Sequence, residues 1–110
     1  MELFFSDSSL QGTLESRVKV DARFGVSRGA LVQQRLCELL AADSLAVVAS
    51  LHGMDLKLVE HSLGTFSVEL APGSRLRFQV DREPIPRLRG DGQIDFSQVG
   101  AIRILDLEEM

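Results

Sequence analysis

The chain has 110 residues, of which 45% are hydrophobic and 25% charged, and its formal net charge is −4 at pH 7. This length and composition predict a single domain over residues 1–110 and exclude a disordered tail. The acidic balance excludes a protein that binds nucleic acid through its overall charge, because dedicated nucleic-acid binders usually have a pI above about 9. The absence of Trp and Tyr argues against a single-strand binder built on stacked aromatic rings.

Nothing in the sequence indicates export or membrane insertion. The first residues lack the basic and apolar regions of a signal peptide, and the longest apolar run, residues 45–49, is far shorter than the ~20 residues of a transmembrane helix. The single cysteine, Cys37, lies in a helical pattern, and we interpret it as a small buried residue in a reducing compartment. We therefore expect a cytoplasmic protein without a membrane partner.

The first half of the chain has helical spacing after a short predicted strand at residues 3–5. Apolar residues then recur every four positions, which predicts one helix that begins near Ser8 or Ser9 and ends near Gly25. A glycine suits this end because it adopts the left-handed backbone conformation without steric cost. The apolar stripe of the predicted helix consists of Leu10, Leu14 and Val18.

A second helical pattern begins at Ser27 or Gly29. Its apolar residues fall on one face of the predicted helix, and they are Val32, Leu36, Leu39 and Leu40. The Asp43-Ser44 pair ends this helix, and Ser44 is the expected N-cap of a short third helix over residues 45–51. A buried strand over residues 45–49 is the alternative, because a short apolar run fits both structures.

From Gly53 onward apolar and polar residues alternate, which is typical of half-buried strands. Three such runs and a last strand are predicted, at residues 56–59, 65–70, 75–81 and 101–107. Ile102 and Ile104 share one face of the last strand. Helices followed by strands predict an α+β fold, in which the N-terminal helices pack on the apolar face of a twisted antiparallel sheet.

The register of the central hairpin follows from the requirement that apolar residues lie opposite apolar residues. A two-residue loop would place Leu70 opposite Arg75, whereas a three-residue loop, Pro72-Gly73-Ser74, places Leu70 opposite Leu76. We therefore predict the three-residue loop.

The polar face of the predicted sheet is the most informative surface for function. Clustered cations there can bind phosphate, although a solvated polar face is also the ordinary state of an antiparallel sheet. In the predicted register Arg77 faces Glu69, while Arg75 faces Ala71 and has no carboxylate across the strand. Arg75 is therefore the better candidate for an external anion. The side chains that can project from this face are Lys57, His61, Ser67, Arg75 and Arg77.

No metal or cofactor site is predicted. His52 with Asp55 lacks a third ligand, and residues 91–95 lack the further carboxylates of a calcium loop. His61 is the candidate acid or base, because an imidazole ordinarily changes its charge near neutral pH. Residues 82–100 form a long irregular connection with several arginines, and such connections in compact domains are usually either functional or disordered.

Four stretches of the sequence carry a family resemblance through their order and spacing: QRLCELLAADSL at 34–45, GTFSVEL at 64–70, RLRF at 75–78 and AIRILD at 101–106. They resemble the RelE/ParE superfamily, specifically the HigB-like toxins of bacterial type II toxin–antitoxin systems. The resemblance implies a RelE-like, microbial-ribonuclease-like fold, a helix-turn-helix antitoxin as partner, and ribosome-dependent cleavage of mRNA without a cofactor. Of the cations that the resemblance leads us to expect, Arg75 is retained, and it is the candidate that stabilises the phosphate. The predicted sheet and connection add His61 as a supporting catalytic candidate, and Lys57, Arg77, Arg87 and Arg89 as candidates for RNA binding.

The sequence departs from active relatives at two places. Their His-Pro-Leu-Lys-Gly-like string falls on residues 56–60, where Leu56 and Val59 take the His and Lys positions. Their Asp-Tyr-His-like ending is here Glu108-Glu109-Met110. Two hypotheses follow: a toxin that acts as a ribosome-dependent mRNA endonuclease, and a catalytically degenerate homologue that binds the antitoxin. A third, action on gyrase as in the ParE branch, has no feature of the sequence in its favour.

Overall fold

Four helices and a five-stranded sheet make up the described part of the chain, residues 1–59, 64–87 and 93–109 of a computed structural model. The helices are α1 (Ser8–Leu14), α2 (Arg17–Phe24), α3 (Val26–Ala41) and α4 (Leu45–Ser50). The strands are β1 (Glu2–Phe5), β2 (Lys57–Leu58), β3 (Thr65–Ala71), β4 (Ser74–Val80) and β5 (Ala101–Glu109), with a 3-10 helix at Phe96–Gln98 before β5. The predicted α+β class is confirmed.

The sheet is mixed, with the strand order β1-β5-β4-β3-β2. Strands β2 to β5 pair antiparallel, whereas β1 runs parallel to β5, with Leu3 opposite Ile102. The prediction of a purely antiparallel sheet is therefore wrong. A parallel pair needs a long connection between its strands, and here the first and last strands of the chain meet.

The single helix predicted after β1 is two helices. The carboxylate of Asp7 caps α1 and accepts two backbone N–H bonds at 2.8 and 3.3 Å, so the predicted caps Ser8 and Ser9 are wrong. The hydroxyl of Ser16 caps α2 and accepts the N–H three residues later at 3.3 Å. This break changes the helical phase and leaves Val18 exposed, outside the stripe in which it was predicted.

Gly25 ends α2, as predicted, and has a positive φ of +85°. Its ψ of 163° lies outside the left-handed helical region, so the predicted left-handed conformation is wrong. The next helix begins at once, at Val26, rather than at Ser27 or Gly29. Three of its four predicted core residues are buried, but Leu40 is 56% exposed.

An apolar groove explains why Leu40 and Cys37 are not in the core. It lies between β1, α1 and α3 and has a volume of about 380 Å³. Both residues line it together with Leu3, Phe5 and Leu36, and Cys37 is exposed. The prediction of a buried thiol is therefore wrong, because α3 turns this side chain toward the groove.

The short apolar run after Ser44 is helical, which excludes the alternative strand at residues 45–49. Leu45 and Val48 of α4 are buried. Ser44 is the N-cap residue, but its side chain makes no capping hydrogen bond, so it does not cap in the manner predicted. None of the helices in the described ranges has both the length and the apolar character that a membrane span requires.

The hairpin of β3 and β4 has a two-residue loop, Pro72-Gly73, with Ala71 opposite Ser74. A β-bulge at Leu70 shifts the register, so the predicted three-residue loop is wrong. The prediction assumed that β3 and β4 pair without a bulge. Because Leu70 bulges out, it is not paired with Arg75, and the argument against the two-residue loop no longer applies. The pairs beyond the bulge are Glu69 with Arg75, Val68 with Leu76, Ser67 with Arg77, and Phe66 with Phe78.

The core lies between the helices and one face of the sheet. Ile102 and Ile104 share this buried face, as predicted. They pack with fully buried side chains from the helices and from the central strands, which include Val32, Leu39, Leu45, Val68, Leu76 and Phe78. Successive side chains of a strand point to opposite faces, so the charged residues between these core positions lie on the other face of the sheet.

Candidate functional site

Five polar side chains of neighbouring strands form the site, which we call the outer face: Lys57, Ser67, Arg75, Arg77 and Asp106. The register explains how they meet. Lys57 lies opposite Ser67, Ser67 opposite Arg77, and Arg77 opposite Asp106. Arg75 is two residues before Arg77 on β4 and therefore on the same face. The prediction that these cations share one face of the sheet is confirmed.

The guanidinium of Arg75 is held on several sides and its side chain is only 15% exposed. Its Nε donates to the Ser67 hydroxyl at 3.0 Å, and its Nη2 donates to the Ser67 carbonyl at 3.1 Å and the Asp55 carbonyl at 2.5 Å. Its Nη1 donates to the Asp55 carboxylate at 3.0 Å. Arg75 therefore has a carboxylate partner, which comes from the segment before β2.

The prediction that Arg75 faces Ala71 and has no carboxylate across the strand is wrong. In the observed register Glu69 lies opposite Arg75 on β3, and Glu108 lies opposite it on β5. The cation is thus surrounded by acidic positions on both neighbouring strands and in the segment before β2.

Asp55 joins two cations of the outer face. The Nζ of Lys57 lies 3.3 Å from the carboxylate oxygen Oδ2 that also accepts from Arg75. Partial burial by itself raises the pKa of the Asp55 carboxyl, but hydrogen bonds from Arg75 and Lys57 outweigh it and hold the pKa below its ordinary value of 3.8. The carboxylate therefore stays ionised at neutral pH and offsets the charge of its neighbours.

Arg77 is bound to acidic residues of β5 rather than to the predicted Glu69. Its Nε donates to Asp106 Oδ1 at 2.7 Å, and its Nη2 donates to the other oxygen of the same carboxylate. Glu108 Oε1 lies 3.4 Å from the same Nε. The hydrogen bond from Arg77 lowers the pKa of the Asp106 carboxyl, and the same contact raises the pKa of the guanidinium.

The Arg77–Asp106 pair makes stability depend on pH at acidic values. Because the pKa of Asp106 is lower in the folded chain than its ordinary 3.8, the pair stabilises the fold above about pH 4 and loses this contribution as pH falls through the folded-state pKa. We expect Asp106→Asn to lower the free energy of unfolding by about 1 kcal/mol or less at pH 7, since the pair is partly solvated. Urea denaturation at pH 7 and near pH 2.5 measures this. A difference between the two proteins that stays equal at both pH values contradicts the pairing.

The remaining predicted site residues lie elsewhere or outside the described residues. His61 and Arg89 fall outside them. Arg87 is exposed and forms an isolated β-bridge with Ile94 in the connection before β5. Among the described residues, no cluster of three or more His, Cys, Asp or Glu side chains is arranged to hold a metal ion.

The sequence reasoning missed both carboxylates that define the site. Asp55 lies before β2 with a positive φ of +47°, so the alternation of a strand could not indicate where its carboxylate points. For Asp106, strict alternation from Ile102 and Ile104 predicts a position in the core. A β-bulge at Leu105 reverses the alternation and turns Asp106 to the outer face.

The charges of the outer face are balanced within the chain. In the described residues Lys57, Arg75 and Arg77 each lie within 4.0 Å of a carboxylate oxygen of this protein. Arg103, on the same face near β1, lies 3.5 Å from Asp81. The arrangement gives an ordered, mixed-charge surface rather than a cationic patch.

The chain matches no protein-family model, no curated protein and no solved structure at a significant level. The family resemblance of the sequence therefore stays a prediction. What the site can do is inferred from its geometry and charges.

Proposed function

We propose that the protein is a RelE/HigB-like toxin homologue of a bacterial type II toxin–antitoxin module that binds a helix-turn-helix antitoxin and does not cleave RNA. The observation that carries the second half of this proposal is the pairing of Lys57, Arg75 and Arg77 with carboxylates of the same chain. The family resemblance supports the first half.

Cleavage of an RNA strand needs cations that are free to stabilise the charge developing on the phosphate. On the outer face Asp55 and Asp106 already accept the hydrogen bonds that a phosphate would accept. Glu69 and Glu108, opposite Arg75 on its two neighbouring strands, add negative charge that repels a polyanion. With a net charge of −4, the protein also has no overall field that attracts RNA.

The sequence departures support the same conclusion independently of the charges. Leu56 and Val59 stand where active relatives have His and Lys, and neither side chain can transfer a proton or contact a phosphate as an ion. The surface that remains is ordered and of mixed charge, which suits recognition of another protein, because complementary charges steer association and select partners.

Ribosome-dependent mRNA cleavage is the second candidate function, and one observation favours it. The guanidinium of Arg75 is fixed by hydrogen bonds to Ser67 and Asp55, and a preorganised cation is what a phosphate-cleaving site requires. In this case the ribosome supplies the positioning of the RNA that the acidic protein does not.

The test combines binding with toxicity. We expect the protein to form a stable complex, measured by co-purification and calorimetry, with a helix-turn-helix protein encoded beside its gene. When the protein is expressed alone in a bacterial host, we expect growth to stay unchanged. The Arg75→Gln variant, expressed in the same way, is the matched control. Growth arrest and mRNA cleavage that are both abolished by Arg75→Gln would support the endonuclease instead. A failure to bind the neighbouring gene product contradicts the proposal.

A further inference from the structure

We propose that Lys57, Ser67 and Arg75 form an oxyanion-binding site that the carboxylate of Asp55 occupies from within the chain. The inference rests on the proposed function and deepens it, because it names the residue that blocks the outer face. The ligand class is a tetrahedral oxyanion such as inorganic phosphate.

Two cations from different strands converge on one oxygen atom of Asp55. Arg75 Nη1 on β4 lies 3.0 Å from Oδ2, and Lys57 Nζ on β2 lies 3.3 Å from it. Charge-assisted bonds from Arg and Lys are the usual means by which proteins hold phosphate oxygens. A phosphate oxygen at the position of Oδ2 would contact the same two donors.

The position of Arg75 does not depend on the carboxylate that neutralises it. Its Nε and Nη2 donate to three uncharged oxygens, namely the Ser67 hydroxyl, the Ser67 carbonyl and the Asp55 carbonyl. These acceptors remain when the carboxylate is replaced by an amide. The guanidinium would then stay oriented while Nη1 loses its charged partner.

The position of Asp55 allows a clean substitution. Its φ is +47°, a left-handed conformation that asparagine and glycine adopt more readily than other residues. Asp55→Asn therefore removes one negative charge without straining the backbone. The side chain is 49% exposed, so an ion from solvent can reach the place that it occupies.

Arg77 provides the matched control on the same face. Asp106→Asn also removes one negative charge beside an arginine, but Glu108 Oε1 remains 3.4 Å from Arg77 Nε and continues to offset the cation. Asp55→Asn and Asp106→Asn have the same net charge. Among the described residues, Asp55 is the only one whose carboxylate forms a salt bridge with Arg75. The Asp106 variant therefore measures the effect of net charge alone.

The experiment is a titration with inorganic phosphate at constant ionic strength, followed by the backbone amide resonance of Ser67 and the Nε–H resonance of Arg75. We expect Asp55→Asn to bind phosphate at least tenfold more tightly than the wild type, and the double variant Asp55→Asn/Arg75→Gln to lose this gain. Glu69 and Glu108, which face Arg75 from the adjacent strands, limit the affinity of all variants. Asp106→Asn is expected to bind no more tightly than the wild type.

Two results overturn the inference: equal gains in Asp55→Asn and Asp106→Asn, which reflect net charge only, or no gain in Asp55→Asn. If Asp55→Asn does not fold, as judged by circular dichroism, Asp55→Gly is titrated in its place, and the same outcomes decide. Phosphate affinity tests this inference, whereas antitoxin binding and growth test the proposed function. A failure of one can therefore be told apart from a failure of the other.

Discussion

Replacing Leu39 by aspartate is expected to prevent the domain from folding. Leu39 is 0% exposed and lies on the face of α3 that packs against the sheet, so an aspartate there has no water and no partner cation. Burying an unpaired polar or charged group costs several kcal/mol, which is comparable to the whole stability of about 5–15 kcal/mol of a small domain. Circular dichroism of the purified variant is expected to lack a cooperative thermal transition.

The adjacent residue supplies the control for this prediction. Leu40 is 56% exposed and borders the apolar groove, so Leu40→Asp is expected to change the free energy of unfolding by about 1 kcal/mol or less. The two variants differ by one position on the helix and by about 100° around its axis. If Leu39→Asp folds as stably as Leu40→Asp, the helical phase of α3 and its contact with the sheet are wrong.

Truncation of Phe78 to alanine is expected to destabilise the domain by about 3–5 kcal/mol. Phe78 is fully buried at the centre of β4, and its ring stacks on Phe66 with centroids 6.2 Å apart. The substitution removes this contact and leaves a cavity between the sheet and the helices. Urea denaturation of the variant measures the loss.

The neighbouring Gln79 is exposed on the same strand, and Gln79→Ala is the matched control, expected to change stability by about 0.5 kcal/mol or less. A loss below about 1 kcal/mol for Phe78→Ala would show that β4 does not present this residue to the core.

The fold could be predicted from the sequence wherever a periodic pattern runs without interruption. The apolar positions of the central strands repeat regularly and are buried, and three of the four predicted core residues of α3 are buried. Leu40 is the exception in α3, because it borders the apolar groove. Other errors occur where the period changes: at Ser16, the N-cap of α2, and at the bulges at Leu70 and Leu105. The sequence of such a strand fits both the register with a bulge and the register without one. The packing of the neighbouring strands decides between the two registers.

The candidate site was predictable in part for the same reason. The cations Arg75 and Arg77 lie in an alternating strand, so their shared face followed from the period of two. Their acidic partners did not, because Asp55 approaches from the segment before β2 and Asp106 is turned outward by a bulge. These carboxylates change the interpretation of the face, since they convert a predicted cationic cluster into paired charges.

Mapping the 5′ ends of cellular mRNA after induced expression shows whether the cations of the outer face act on RNA. If the carboxylates neutralise them, we expect the same 5′ ends in cells that express the wild-type protein and in cells that express Arg75→Gln. New ends within translated reading frames that appear with the wild type and vanish with Arg75→Gln would contradict this neutralisation, because Arg75 would then act on RNA despite its bond to Asp55.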